Sequence, residues 1–226
     1  SLAVAAETGF EEERELNLDT RGIDMLSIDN GAGSIDIQGV SGSSEIVVTA
    51  TIFVPGRNDD KAMKRIADDL ILTLDKNSDI AVLKAYFEDS GFFNFGDSPS
   101  VHLDVRMPES MHLEVDDGSG SITVDNVRGD VMLDDGSGSI TMINVGGEVE
   151  IDDGSGSISV TTVGGDISIN DGSGSIKVRG VTGTVTVDDG SGSIDVSDVG
   201  EDLIIVDDGS GGLDFSNIAG RVETDT

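Results

Sequence analysis

Between residues 113 and 206 apolar and polar positions alternate in short runs, and the runs recur at a fixed interval. Leu113 and Val115 precede a glycine-rich stretch, and Ile122 and Val124 follow it. The same arrangement returns as Val131/Leu133 with Ile140/Met142, Val149/Ile151 with Ile158/Val160, Ile167/Ile169 with Ile176/Val178, and Val185/Val187 with Ile194/Val196. Period-two alternation marks a half-buried strand, so each interval predicts two short strands. Two glycine corners separate them. One is the phrase "DDGSGSI"; the other is a valine followed two places later by glycine, as in Val127/Gly129, Val145/Gly147, Val163/Gly165 and Val181/Gly183. Units this rich in glycine and β-branched residues cannot sustain a helical stripe.

The phrase begins at Asp116, Asp134, Asp152, Asn170, Asp188 and Asp207, at spacings of 18, 18, 18, 18 and 19 residues. A degenerate copy, "DNGAGSI", starts at Asp29. A short fixed period is the mark of a solenoid, in which single coils are unstable and stacked coils share one core. The predicted fold is all-β: a parallel, β-helix-like solenoid with coils of about 18 residues and a small helical insertion near its N-terminal end. In the last unit, "DDGSGGLDF", Phe215 takes an inward position and is expected to cap the core.

Residues 1–13 are acidic and are expected to form a flexible tail. Residues 14–226 read as one solenoid domain. Its first part, 14–110, holds an N-terminal coil, a helix over 58–69 and capping strands; 111–226 holds the regular repeats. Asn58 or Asp59 is the predicted N-cap, with Ala62, Ile66 and Leu70 on one face.

Forty-five acidic against 13 basic residues leave a formal net charge of −32. Such a field repels phosphates, which excludes nucleic acid and anionic bilayers and leaves basic surfaces, cations or neutral glycans. With no cysteine, disulfides and thiolate chemistry are excluded. No apolar run reaches the ~20 residues that span a bilayer. Ala3-Val4-Ala5 or Val4-Ala5-Ala6 matches the small-residue end of a secretory signal, so the protein is expected to be exported: periplasmic, cell-surface or extracellular.

Taken together, "LSIDNGAGSIDI", the strand ending in Met-Pro within "VRMPESMHLEV", and the repeated "DDGSGSI" with its Val-x-Gly partner resemble the bacterial putative-adhesin family of β-strand-repeat proteins. These are relatives of the heads called toast-rack or auto-transporter-adhesin-like. The resemblance spans residues 15–222. It implies a parallel β-solenoid on an exported or envelope-associated protein, and it brings no catalytic residues.

The phrase also looks like part of an EF-hand loop, which needs oxygen ligands at positions 1, 3 and 5, glycine at 6 and glutamate at 12. With Gly120 at position 6, position 1 is Val115 and position 12 is Asn126. In later copies position 1 is Leu133, Ile151, Ile169, Val187 or Val206, so the EF-hand reading fails. A Ca²⁺ ladder stays open as a cofactor reading, built on Asp116, Asp117, Asp134, Asp135, Asp152, Asp153, Asp171, Asp188, Asp189, Asp207 and Asp208. Stacked carboxylates near 5 Å apart repel by ~3–4 kcal/mol per pair at an effective dielectric of 20, which a cation would relieve. The competing reading has one Asp of each pair closing its own turn by accepting backbone N–H groups, with the second column, Asp117 to Asp208, unbroken. Diffuse cation condensation is the third.

Catalysis has little to stand on. The same Asp pair recurs in nearly every coil, so no coil is marked as a glycan-cleaving site. His102 and His112 fall at outward strand positions. The hydroxyl-lined outer positions Ser121/Thr123, Ser139/Thr141 and Ser157/Ser159 suit a docking face, and Phe92, Phe93 and Phe95 form an aromatic loop. The expectation is a non-enzymatic interaction or adhesion module contacting a protein or glycan surface. The alternatives are a structural spacer that assembles through its ends and, more remotely, a glycan-active enzyme.

Overall fold

The structure, a computed structural model, describes residues 9–88 and 98–224. The signal-like stretch at residues 3–6 and the aromatic loop with Phe92, Phe93 and Phe95 lie outside the described residues. The chain is an all-β parallel solenoid of about 6 turns with a single short helix among the described residues. Two ten-stranded sheets face each other across one core.

In the repeat region each coil gives one strand to each sheet. The first sheet takes β9 (Gly120–Asp125), β11 (Gly138–Val145), β13 (Gly156–Val163), β15 (Gly174–Val181), β17 (Gly192–Val199) and β19 (Gly212–Ile218). The second takes β8 (His112–Asp117), β10 (Val131–Asp135), β12 (Val149–Asp153), β14 (Ile167–Asp171), β16 (Val185–Asp189), β18 (Leu203–Asp207) and β20 (Val222–Thr224). The pairing is parallel and in register, so like residues stack: Ile140 on Ile158 on Ile176, and Leu133 on Ile151 on Ile169. From β8 to β17 both strands of each coil bury the alternation read from the sequence, and the corner residues Val127, Val145, Val163, Val181 and Val199 are buried too. Each such side chain contributes roughly 1.5–3 kcal/mol on full burial, and none could be buried by a single coil.

The N-terminal part closes one end. β2 (Met25–Asn30) and β3 (Ile35–Val40) form the first coil, and β2 pairs with β8 just as the later coils pair with one another. The antiparallel strands β1 (Gly9–Asp19) and β4 (Glu45–Pro55), with β7 (Ser100–Pro108), finish the first sheet, and β5 (Leu70–Asn77) with β6 (Ile80–Phe87) finishes the second. Helix α1 (Asp59–Asp69) crosses between them. Asn58 caps it by accepting the Lys61 N–H at 2.9 Å, and Ala62 and Ile66 enter the shared core.

Two expectations are corrected. Residues 9–13, read as part of a flexible tail, are the first half of β1 and pair with Thr51–Pro55. Phe10, Leu16 and Leu18 pack on the core while Glu11, Glu13 and Glu15 face out, so their charge had masked a strand. The last unit, read as a cap with Phe215 turned inward, does not bury it: Phe215 is 47% and Val222 37% exposed among the described residues.

A left-handed residue precedes the corner valine in most coils: Asn126, Asn144, Thr162, Gly180 and Asp198, with φ between 58° and 74°. Asparagine suits this position, and Asn144 Nδ2 donates to Asn126 Oδ1 at 3.2 Å. Thr162, at φ 64°, is β-branched and strained there. Thr162→Asn is expected to stabilise the protein by ~1 kcal/mol, read as a higher urea midpoint with an unchanged slope.

Candidate functional site

Three columns of polar residues run along the second sheet, set by alternation and register. The inner column is Asn30, Asp117, Asp135, Asp153, Asp171 and Asp189, each 2% exposed or less. Because Leu133 points inward, Asp134 must point out and Asp135 in again, at the place where the strand turns into the glycine corner. The Oδ1 of Asp135, Asp153, Asp171 and Asp189 accepts the N–H of the serine two residues on, each at 3.0 Å. This is an Asx turn, which ties the side chain to its own corner. Oδ2 of all five aspartates is buried without a hydrogen-bond partner.

Burial is the main reason these acids hold their protons unusually well. Desolvation pushes Asp117, Asp135, Asp153 and Asp171 up to about 6, against the opposing pull of the corner N–H bonds. The Asn30 amide adds to that opposing pull at Asp117, and neighbouring aspartates raise all four further. Asp189 is raised for the same leading reason.

The outer column, Asp116, Asp134, Asp152, Asn170, Asp188 and Asp207, is exposed to solvent. Asp208 follows at the register of Asp189, at the last corner of the stack. The 19-residue spacing inserts Val206 as a bulge, so Asp188 pairs with Asp207. Asp207 Oδ1 accepts the Gly209 N–H at 2.8 Å, while Asp208 is only partly covered. Among the described residues no group of three or more acidic or histidine side chains is arranged to hold a metal ion.

A third column was not singled out from the sequence. Asp130 Oδ1 accepts the Glu148 N–H at 2.9 Å, Asp166 Oδ1 the Thr184 N–H at 2.8 Å, and Asp202 Oδ1 the Arg221 N–H at 2.7 Å. His112 Nδ1 receives the Asp130 N–H at 3.0 Å. Each side chain thus ties its coil to the next. The signal was present in part: Asp130 and Asp166 directly follow the second glycine corner, in "VRGD" and "VGGD". His112, read as a solvated strand residue, is half-buried and begins this column.

Beside the third column, the outer face of β8, β10, β12, β14 and β16 forms a shallow groove of about 490 Å³. Met25 and Met132 line it, and Glu114, Glu148, Glu150 and Asp166 add negative charge to the same lining. Met132 is 52% exposed, an unusual placement for a large apolar side chain in the middle of a sheet. The groove's lining contains no lysine or arginine.

No family model and no curated protein matches this sequence. The solved structures similar to it include putative adhesins from several bacteria. A putative cell adhesion protein from Clostridium sporogenes is 10% identical with a TM-score of 0.42, over 96% of this chain and 100% of that one. A putative adhesin from Parabacteroides distasonis is 10% identical with a TM-score of 0.38, over 95% and 97%. A putative lipid binding protein from the same species is 12% identical with a TM-score of 0.41, over 96% and 98%.

Proposed function

We propose that the chain is a non-enzymatic interaction module of an exported or cell-envelope protein, and that the groove on the second sheet is its contact surface. The observation that carries this reading is Met132, an exposed apolar residue in a groove bordered by carboxylates, on a sheet whose register fixes the position of every side chain. A rigid, preorganised face loses little conformational freedom on binding. The lining favours a partner that offers an apolar contact flanked by positive charge: a basic, extended protein segment. The recurring aspartates argue against catalysis, because the inner ones are dry and the outer ones are alike from coil to coil. Among the described residues no helix is long and apolar enough to cross a membrane.

A lysine-rich peptide with one leucine or methionine at its centre is expected to bind, more weakly as salt rises. Glu114, Glu148 and Glu150, changed together to glutamine, should weaken it about tenfold, at roughly 0.5 kcal/mol per exposed charge. Isothermal titration checks this; equal affinity for a neutral peptide, or for a glycan alone, contradicts it. A second reading, a spacer that assembles through its ends, is favoured by the position of β19 and β20 at the sheet edges among the described residues and by exposed Phe215. Sedimentation velocity separates the two, since assembly through that end grows with concentration and is lost in Phe215→Ser.

A further inference from the structure

The inner aspartate column has buried oxygens without partners and a repeat that places them one above the next. Asn30 stands at its head, in register with Asp117. Asn30 Nδ2 donates to Asp117 Oδ1 at 2.9 Å, so a donor in this column bonds the carboxyl of the following coil. The same register carries Asp117 to Asp135, Asp153, Asp171 and Asp189. In each aspartate Oδ1 already accepts an N–H and Oδ2 has no partner, so Oδ2 is the oxygen left to carry a hydrogen. A hydrogen on Oδ2 would give it the bond that Asn30 already makes.

We propose that this column is a proton-binding ladder, in which the Oδ2 of each aspartate from Asp117 to Asp171 carries a proton and donates it to the Oδ1 of the next coil. Four such protons, from Asp117 to Asp135, Asp135 to Asp153, Asp153 to Asp171 and Asp171 to Asp189, turn a stack of repelling charges into a chain of hydrogen bonds. Oδ2 lies close to the glycine of its own corner. A Cβ placed on Gly138 would lie 3.2 Å from Asp135 Oδ2, and one on Gly174 3.3 Å from Asp171 Oδ2. The charged groups beside the ladder favour the protonated form. They are Asp116, Asp134, Asp152 and Asp188 of the outer column, with Asp207 and Asp208 at the far end. At the near end Ala85 continues the inner column past Asn30, while Lys84 stands beside Asp29 in the outer one.

The consequence is a scaffold that firms up in mildly acidic surroundings. The folded acids hold protons up to about pH 6, whereas the unfolded chain releases them near 3.8. The folded state therefore binds more protons between those values. The gain is complete below the unfolded value and is lost as pH rises through the folded one.

The test is a ¹³C NMR titration of the aspartate carboxyl carbons in the full chain after EDTA treatment, paired with thermal melts at matched ionic strength. The five inner carboxyls are expected to titrate well above the exposed ones, and the melting temperature to fall between pH 5 and pH 7.5. Asp135→Asn and Asp153→Asn together supply the donors permanently, and should raise the melting temperature at pH 7.5 and flatten its pH dependence. Asp134→Asn with Asp152→Asn removes the same charge from the outer column and should flatten it less. Inner carboxyls that all titrate below pH 5, or inner and outer double variants with the same pH dependence, overturn the proposal. So does Ca²⁺ that lowers the inner midpoints at constant ionic strength, since the ligand would then be a metal ion.

Discussion

Gly156→Ala is expected to prevent the solenoid from folding. The corners stack so closely that a Cβ at residue 156 would lie 1.5 Å from the carbonyl oxygen of Gly138 and 2.6 Å from its carbon. These are backbone atoms, so no side-chain rotation relieves the contact. The corner cannot open locally either, because the Gly138 N–H donates to Ser155 O and the Gly156 N–H to Ser173 O, both at 3.0 Å. Separating the coils by the necessary distance breaks those bonds and the ladders on both sides. A loss above ~4 kcal/mol is expected, most of what a domain with ~5–15 kcal/mol of stability holds. The control is Gly212→Ala, where a Cβ meets nothing within 4 Å; it should leave the melting temperature almost unchanged. Circular dichroism of the two variants checks both outcomes.

The second large effect is expected from Val160→Asp. Val160 and Asp153 are both nearly inaccessible, at 1% and 2% exposed, yet only one of the two sites can hold a carboxyl. At Asp153 the strand is ending, the Ser155 N–H reaches Oδ1, and identical residues stand above and below. At Val160 the neighbours along the column are Met142 and Val178, and the backbone N–H groups are committed to the sheet. An acid there has no donor and must be buried alone, at a cost of several kcal/mol even when neutral, roughly 2–7 for an unpartnered polar group. The variant should be recovered unfolded or as aggregate, whereas Val160→Ile should fold. Soluble yield and the far-ultraviolet spectrum distinguish them.

These two sites show what was readable in the chain and what was not. Alternation placed Ile158, Val160 and their equivalents in the core, because a period of two leaves no other assignment once the strands are found. The cap of α1 at Asn58 was readable for the same reason: the chemistry is local. Residues 9–13 were not, since their glutamates look like a solvated tail until an antiparallel partner as long as β4 is available. The inner aspartates were visible as a column and as turn-closing residues. Their complete burial was not, because aspartate seldom enters a core and the shelter comes from corners of neighbouring coils. The bulge at Val206 had a visible warning in the single 19-residue spacing. The bonds from Asp130, Asp166 and Asp202 depend on which N–H group the next coil brings alongside, which register decides. The groove depends on it too, for Met132 and Glu150 become neighbours only when β10 and β12 stack.

The functional account rests on that groove, and its methionines offer a direct probe. Six methionines can be labelled with ¹³C on the methyl group. Met25 and Met132 line the groove; Met107, Met111 and Met142 are buried; Met63 is exposed on α1 at the closed end. On titration with the basic peptide, the methyl signals of Met132 and Met25 should shift together and saturate with the affinity measured by calorimetry, while Met63, Met107 and Met142 stay in place. A peptide that binds while Met132 and Met25 remain still, or that moves Met63 alone, would contradict the assignment of the second sheet's outer face as the contact surface.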